Sequence, residues 1–157
     1  MAVATWFFSI LIIFSFAPKL NSKTIIGNAK VIDGDTIHIG SNKIRLHGID
    51  APETNQTCEK NKVAWSCGKE STKVLINFIN KQKVICDVKD TDKYKRYISV
   101  CFVNNIDMSE FMVRNGWAIA YRYYSEDYAE SEDKAKKDNV GIWQSSFQEP
   151  YLFRKNN

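Results

Sequence analysis

The sequence predicts an α+β domain, with short strands and amphipathic helices drawn from separate stretches of one chain, on three observations. Ile37 and Ile39 alternate with Thr36 and His38, and Ile44 and Leu46 with Arg45 and His47, across a Gly40-Ser41-Asn42 turn, which is the period-two pattern of a half-buried hairpin. Val84 to Val88 and Tyr97 to Phe102 form a second strand pair. Three further stretches, beginning at Cys67, Asp107 and Ser125, carry helical spacing and helix-end residues. A chain of 157 residues that is 44% hydrophobic suits one domain with a substantial core, and two would be cramped.

Residues Ala2 to Ala17 hold no charged side chain, and the apolar core Trp6 to Phe14 is shorter than the ~20 residues a membrane span requires. That pattern predicts a secretory signal over residues 1–22, cleaved between Ala17 and Ser22, with residues 23–157 as the exported domain, secreted or periplasmic. An uncleaved membrane anchor is the alternative. Net charge is +4, and with only Lys19 in the first 22 residues the remainder carries 21 basic and 18 acidic side chains. This balance is too mild to establish a polyanion partner, so the placement of the charges decides.

Thr24 to Ile32 reads as a first strand running into Asp33-Gly34-Asp35-Thr36, where Gly34 frees the backbone to turn a tight corner. After the hairpin comes Asp50-Ala51-Pro52-Glu53, stiffened by Pro52. Asn55 to Ser66 is polar and irregular, and Cys67 opens a helix whose apolar face is Val74, Leu75, Phe78 and Ile79. The loop Lys89 to Arg96 between the second pair of strands is basic, with Tyr94 embedded. It is either a solvated hairpin tip or a phosphate-gripping loop. A short helix capped by Asp107 or Ser109 ends at Gly116, with Phe111 and Met112 or Val113 facing the core. Tyr121-Arg122-Tyr123-Tyr124 is either surface packing or a base-stacking platform. Ser125-Glu126-Asp127 begins the last predicted helix, with Lys134, Lys136 and Lys137 late in it, matching the helix dipole at both ends. His38 and His47 read as strand-surface residues.

The hairpin brings the loop carrying Asp33 and Asp35 beside the end of the strand leading to Asp50 and Glu53, with Arg45 between the two pairs. Carboxylates crowded in this way repel unless a cation or an arginine offsets them, which points to a hard metal ion bound by oxygen.

Cys58, Cys67, Cys86 and Cys101 are separated by eight, eighteen and fourteen residues without a CxxC knuckle, which favours disulfides in an exported chain over a zinc site. The hairpin around Asp92 to Lys95 would bring Cys86 and Cys101 to adjacent strands, and a Cys58–Cys67 bridge would close a short loop after Glu53. Buried free thiols are the competing state for Cys86 and Cys101.

Three separated segments, DGDT at Asp33 to Thr36, RLHGIDAPE at Arg45 to Glu53 and TDKYKR at Thr91 to Arg96, resemble the thermonuclease, or staphylococcal-nuclease-like, family. The likeness continues through VRNGWAIAYRYY, AESEDKAKKDNVGIW and SFQEPYLFR, covering essentially the whole chain after the signal. The resemblance implies a five-stranded OB-fold β-barrel with three α-helices, and calcium-dependent hydrolysis of phosphodiesters in DNA and RNA leaving 3'-phosphate and 5'-hydroxyl ends. It implies Asp35, Asp50 and the Ala51 carbonyl as calcium ligands, Glu53 acting on the attacking water, and Arg45 and Arg96 holding the phosphate. Lys93, Tyr94 and Tyr121 are implied to grip the nucleotide, with no stable protein partner and a monomeric chain. The best-known members have threonine where this chain has Ala51, a change that spares a backbone ligand. The Cys58 and Cys67 pair lies where that best-known enzyme has no cysteine. Two rival readings are a non-catalytic OB-type nucleic-acid-binding module, whose expected signature is a decayed site, and a disulfide-stapled extracellular binding protein.

Overall fold

The structure is a computed structural model that describes residues 23–157; the signal segment predicted over residues 1–22 lies outside the described residues. Alternation is what builds the barrel. Strand β1 (Thr24–Val31) pairs antiparallel with β2 (Thr36–Ile39), and β2 with β3 (Asn42–Leu46), burying Ile37, Ile39, Ile44 and Leu46 on one face. Two small pairs follow, β4 (Ile49–Asp50) and the hairpin β5 (Cys58–Lys60) with β6 (Val63–Trp65).

Helix α1 (Cys67–Ile79) then lays Leu75 and Ile79 into the core with Val74 and Phe78 packed beside them. Burying a side chain such as Leu75 contributes about 2 kcal/mol. Strand β7 (Lys83–Thr91) pairs with β1 and with β8 (Tyr97–Val103), and β8 closes the barrel by running parallel to β3. Arg45 of β3 stands in register with Ile98 of β8. These five strands form the closed barrel the sequence predicted.

Strand β9 (Ile106–Asp107) leads into α2 (Met108–Arg114), whose first turn is capped by the Asp107 carboxylate accepting from the backbone N–H groups of Ser109 and Glu110. Strand β10 (Ile119–Ala120) pairs with β4, and helix α3 (Ala129–Lys137) packs over it. After a 3-10 turn at Gly141–Gln144 comes helix α4 (Pro150–Asn156).

Four expectations need correction. The stretch from Asn55 to Ser66, expected to be irregular, contains the β5–β6 hairpin, turned by Asn61 and Lys62 at positive φ and stapled by a Cys58–Cys67 disulfide. The helix expected from Ser125 starts at Ala129, because Ser125 Oγ accepts from the Asp127 N–H and holds those residues in a turn. Among the described residues there are four α-helices instead of three, the fourth opened by Pro150 at a position where its missing N–H is harmless. His47 lies in the turn after β3 and meets Asp127 Oδ2 at 3.1 Å, whereas His38 does lie on a strand. The second disulfide joins Cys86 and Cys101, which face each other in register on β7 and β8.

Candidate active site

The two acid-bearing turns are clamped by α1. Gly34 leaves no room for a side chain: a β-carbon there would lie 2.2 Å from Ser71 Oγ and 2.6 Å from Ala51 Cβ, so space, more than backbone freedom, demands glycine. Gly68, in the first turn of α1, presses against the Glu53 carbonyl, where a β-carbon would come within 1.7 Å. Gln56 closes the second turn: its N–H donates to the Glu53 carbonyl at 2.7 Å, and its buried side chain donates to the Gln148 carbonyl at 2.7 Å. Asp50 is fixed from below by the β4–β10 pairing, which places Ile119 opposite it.

On this frame the charged groups alternate. Arg45 Nη1 donates to Asp35 Oδ1, and Arg45 Nη2 donates to Asp50 Oδ1 at 2.7 Å. Arg154 of α4 continues the chain: Nη1 lies 2.9 Å from both Asp50 Oδ1 and Glu53 Oε1, and Nη2 donates to Asp50 Oδ2 at 3.2 Å. The sequence of groups is therefore Asp35, Arg45, Asp50, Arg154, Glu53. Asp33 stands beside it and accepts the Asp35 N–H at 3.0 Å, so it shapes the turn.

Asp35 and Asp50 are both buried. Burial pushes the Asp35 carboxyl up to about 6, Arg45 opposes that shift, and Asp33 reinforces it. Burial also disfavours the Arg45 charge, yet Asp35 and Asp50 together outweigh it and leave the guanidinium held above its ordinary value. Asp35, Asp50 and Glu53, with Asp33 beside them, outnumber the two guanidiniums and leave excess negative charge around two buried carboxylates, which is an environment suited to added positive charge.

The remaining predicted residues lie around this cluster. Arg96 lies at the tip immediately before β8, two residues ahead of Ile98, the residue in register with Arg45. Asp92 receives the Arg96 Nε–H at 2.8 Å and also accepts the N–H groups of Tyr94 and Arg96, which shapes the tip. Tyr94 is exposed, with Lys93 Nζ 5.1 Å and Arg96 Cζ 5.5 Å from its ring centre. Tyr121 donates its N–H to the Gly48 carbonyl at 2.8 Å and shares with Asp50, Tyr123, Trp143 and Tyr151 a groove of about 680 Å³. Burial, and after it Asp50, raises the Tyr121 phenol above its ordinary value. Arg122 is committed elsewhere, bound to Glu132 at 2.9 Å and Asp133 at 2.7 Å, so the aromatic stretch offers tyrosines without a free arginine.

Two residues at the site escaped sequence reasoning. Arg154 lies about 100 positions from Asp50; it closes the SFQEPYLFR segment of the family likeness, which gave it no role, and Pro150 opens a helix one turn before it. Gln56 sat in a stretch read as a polar loop.

Among the described residues, no group of three or more His, Cys, Asp or Glu side chains is arranged to hold a metal ion. The predicted set asks for less, two carboxylates and a carbonyl. The Ala51 N–H donates to Asp35 Oδ2 at 2.8 Å, while its carbonyl accepts no hydrogen bond from the described residues. Buried hard oxygens, one of them unclaimed, with excess negative charge, fit a hard divalent cation.

The chain is similar to several known proteins. A family model described as staphylococcal nuclease homologue matches residues 43–145. The chain is 34% identical over 128 residues to the succinoglycan biosynthesis protein ExoI of Rhizobium meliloti, covering 79% of this chain and 67% of that protein. It is 30% identical over 143 residues to an uncharacterized endonuclease of Haemophilus influenzae, covering 86% and 75%. With a micrococcal nuclease of Shigella flexneri it shares 28% identity over 144 residues, covering 80% and 78%.

Proposed function

This chain belongs to the staphylococcal nuclease family, and on that premise we propose that it is an exported, calcium-dependent nuclease that hydrolyses phosphodiester bonds of DNA and RNA, leaving 3'-phosphate and 5'-hydroxyl ends. The observation that carries the reading is the bridge made by Arg45 between Asp35 and Asp50, next to Glu53. The charges of the site support it. A divalent cation would offset the excess negative charge of the carboxylates over Arg45 and Arg154, and so let the site accept a phosphodiester.

Asp35, Asp50 and the Ala51 carbonyl would hold the cation. Once bound, it supplies positive charge opposite the scissile phosphate, where charge gathers toward the transition state. Arg45 is planar, fixed by two carboxylates, and can move one donor onto a phosphate oxygen without leaving the site. Arg96, steadied through Nε, presents its terminal nitrogens to the same phosphate. Glu53 orients the attacking water and takes its proton. Lys93 and Tyr94 at the β7–β8 tip and Tyr121 in the groove grip the flanking nucleotide by charge and by stacking.

Digestion of plasmid DNA and of RNA with calcium, with magnesium and with EDTA tests the reading, with the product ends identified. Calcium should support cutting at a dissociation constant on the order of 10⁻⁴ to 10⁻³ M, since water must fill most of the cation's six to eight positions. Magnesium should support it poorly. Full activity in EDTA, or binding without cutting, overturns the reading.

A further inference from the structure

Helix α4 is attached to the molecule by little apolar surface. Pro150 is buried and Phe153 partly so, but Tyr151 and Leu152 are 48% and 42% exposed. Among the described residues, its ionic attachment runs through Arg154 alone, and that side chain ends on the two acids at the open end of the carboxylate chain. A second tie, from Gln56 to the Gln148 carbonyl, joins the same turn to the segment leading into α4.

We propose that Arg154 is a positioning residue of the carboxylate site: a cation carried on α4 that holds Glu53 to Asp50 and competes with an added divalent cation for Asp50. The role assigned to Glu53 rests on the nuclease reading above; the competition does not. A carboxylate offers about four acceptor positions. Asp50 Oδ1 accepts from Arg45 and lies 2.9 Å from Arg154 Nη1, and Oδ2 accepts from Arg154, so while Arg154 stays a cation stands against both oxygens and at most two of those positions are left for a metal. Arg154 is the only side chain among the described residues that links the Glu53 carboxylate to the other acids. Without it, Glu53 would sample the rotamers open to a partly exposed glutamate.

Removing Arg154 has two opposed effects on cation binding. Asp50 loses one support, but Arg45 still holds it, so little pre-arrangement is lost. A like charge also leaves the same carboxylate, and at contact distance that repulsion is the larger effect. Cation affinity should therefore rise, and α4 should loosen.

The test compares the full exported chain with R154A and R154K. Amide exchange of residues 49–56 and 150–157 is followed in chelator, calcium binding is measured by calorimetry, and kcat and KM are measured on DNA. In R154A, exchange in both segments should be about tenfold faster, calcium should bind about tenfold more tightly, and kcat should fall while KM holds. R154K, which keeps the charge, should retain near wild-type calcium affinity. Calcium affinity that R154A does not raise, absent binding included, overturns the proposal, as does unchanged exchange across residues 49–56. If exchange and affinity shift as expected while the wild-type chain cuts no nucleic acid, the nuclease reading fails and the positioning role stands. Cutting by the wild type without either shift refutes the positioning role alone.

Discussion

Asp92 holds Arg96 through its Nε, at 2.8 Å, and among the described residues neither terminal nitrogen of that arginine has a partner. The guanidinium is steadied at one edge and open at the other, as a two-donor grip on phosphate requires. Replacing Arg96 by lysine should lower kcat by about 10² with thermal stability nearly unchanged, because lysine keeps the charge and loses the fork. Asp92→Asn should cost less, roughly tenfold, since it removes the steadying charge and leaves the arginine. Near-normal kcat in R96K would reduce Arg96 to a general attractor of polyanions. The corresponding lysine at Arg45 should be worse, since it must also bridge Asp35 and Asp50.

Asp35 makes stability depend on pH. Its folded-state value is about 6 against an ordinary 3.8, so between those values the folded chain binds more protons than the unfolded one. Stability attributable to this group is therefore present below about pH 4 and declines as pH rises to about 6. Melting temperatures taken in chelator from pH 4 to pH 7 should show that decline in the wild type and a flatter profile in Asp35→Asn. If the proposed site takes calcium at the ionised carboxylate, added calcium should recover part of the loss at pH 7. Parallel profiles of the two proteins would show that Asp35 titrates normally.

The two disulfides should separate stability from local order. Cys86 and Cys101 are fully buried between central strands of the barrel, so the C86A/C101A pair should lower stability by roughly 2 to 4 kcal/mol. Cys58–Cys67 closes a short loop beside Glu53, and its removal should affect kcat at least as much as it affects the melting temperature. Thermal denaturation and kinetics on the two double variants decide this, and non-reducing peptide mapping should recover the same two pairs.

Tyr128 donates to Asp107 Oδ2 at 2.9 Å while the other oxygen of that carboxylate caps α2. Tyr128→Phe should lower stability by about 1.5 kcal/mol, because Tyr128 is buried and the bond is to a carboxylate. Asp107→Ala should cost more, losing the cap as well. Denaturant unfolding of both variants measures the difference; a larger effect of Y128F would mean that its ring packing, and not its hydroxyl, had been disturbed.

Local patterns made the barrel strands and α1 readable. Ile37, Ile39, Ile44 and Leu46 alternate over a turn, and Val74, Leu75, Phe78 and Ile79 repeat at helical spacing, so each element announces its buried face within a few residues. The acids and Arg45 were readable for the same reason, since one hairpin brings them together. The β5–β6 hairpin was not, because its strands are short and mostly exposed, and a disulfide supplies the cohesion that an apolar face would otherwise give. The start of α3 was misplaced since Ser125 makes a turn with Asp127 where a helix cap was expected. Arg154 stood in a segment of the family likeness, yet its role was not readable because the contact it makes is purely tertiary: nothing near residue 154 records that Asp50 and Glu53 will be its neighbours.

The parallel pairing of β3 with β8 also bears on when this protein becomes active. Arg45 and Asp35 meet within a single hairpin, a contact available early to a folding chain. Arg96, at the entrance to β8, comes near them only when β3 and β8 pair across about 50 residues, and closure over that separation is slow relative to hairpin formation. A half-folded chain would thus own the acids without the second phosphate grip. In refolding from denaturant, recovery of cutting should lag behind recovery of strand content and coincide with the last phase.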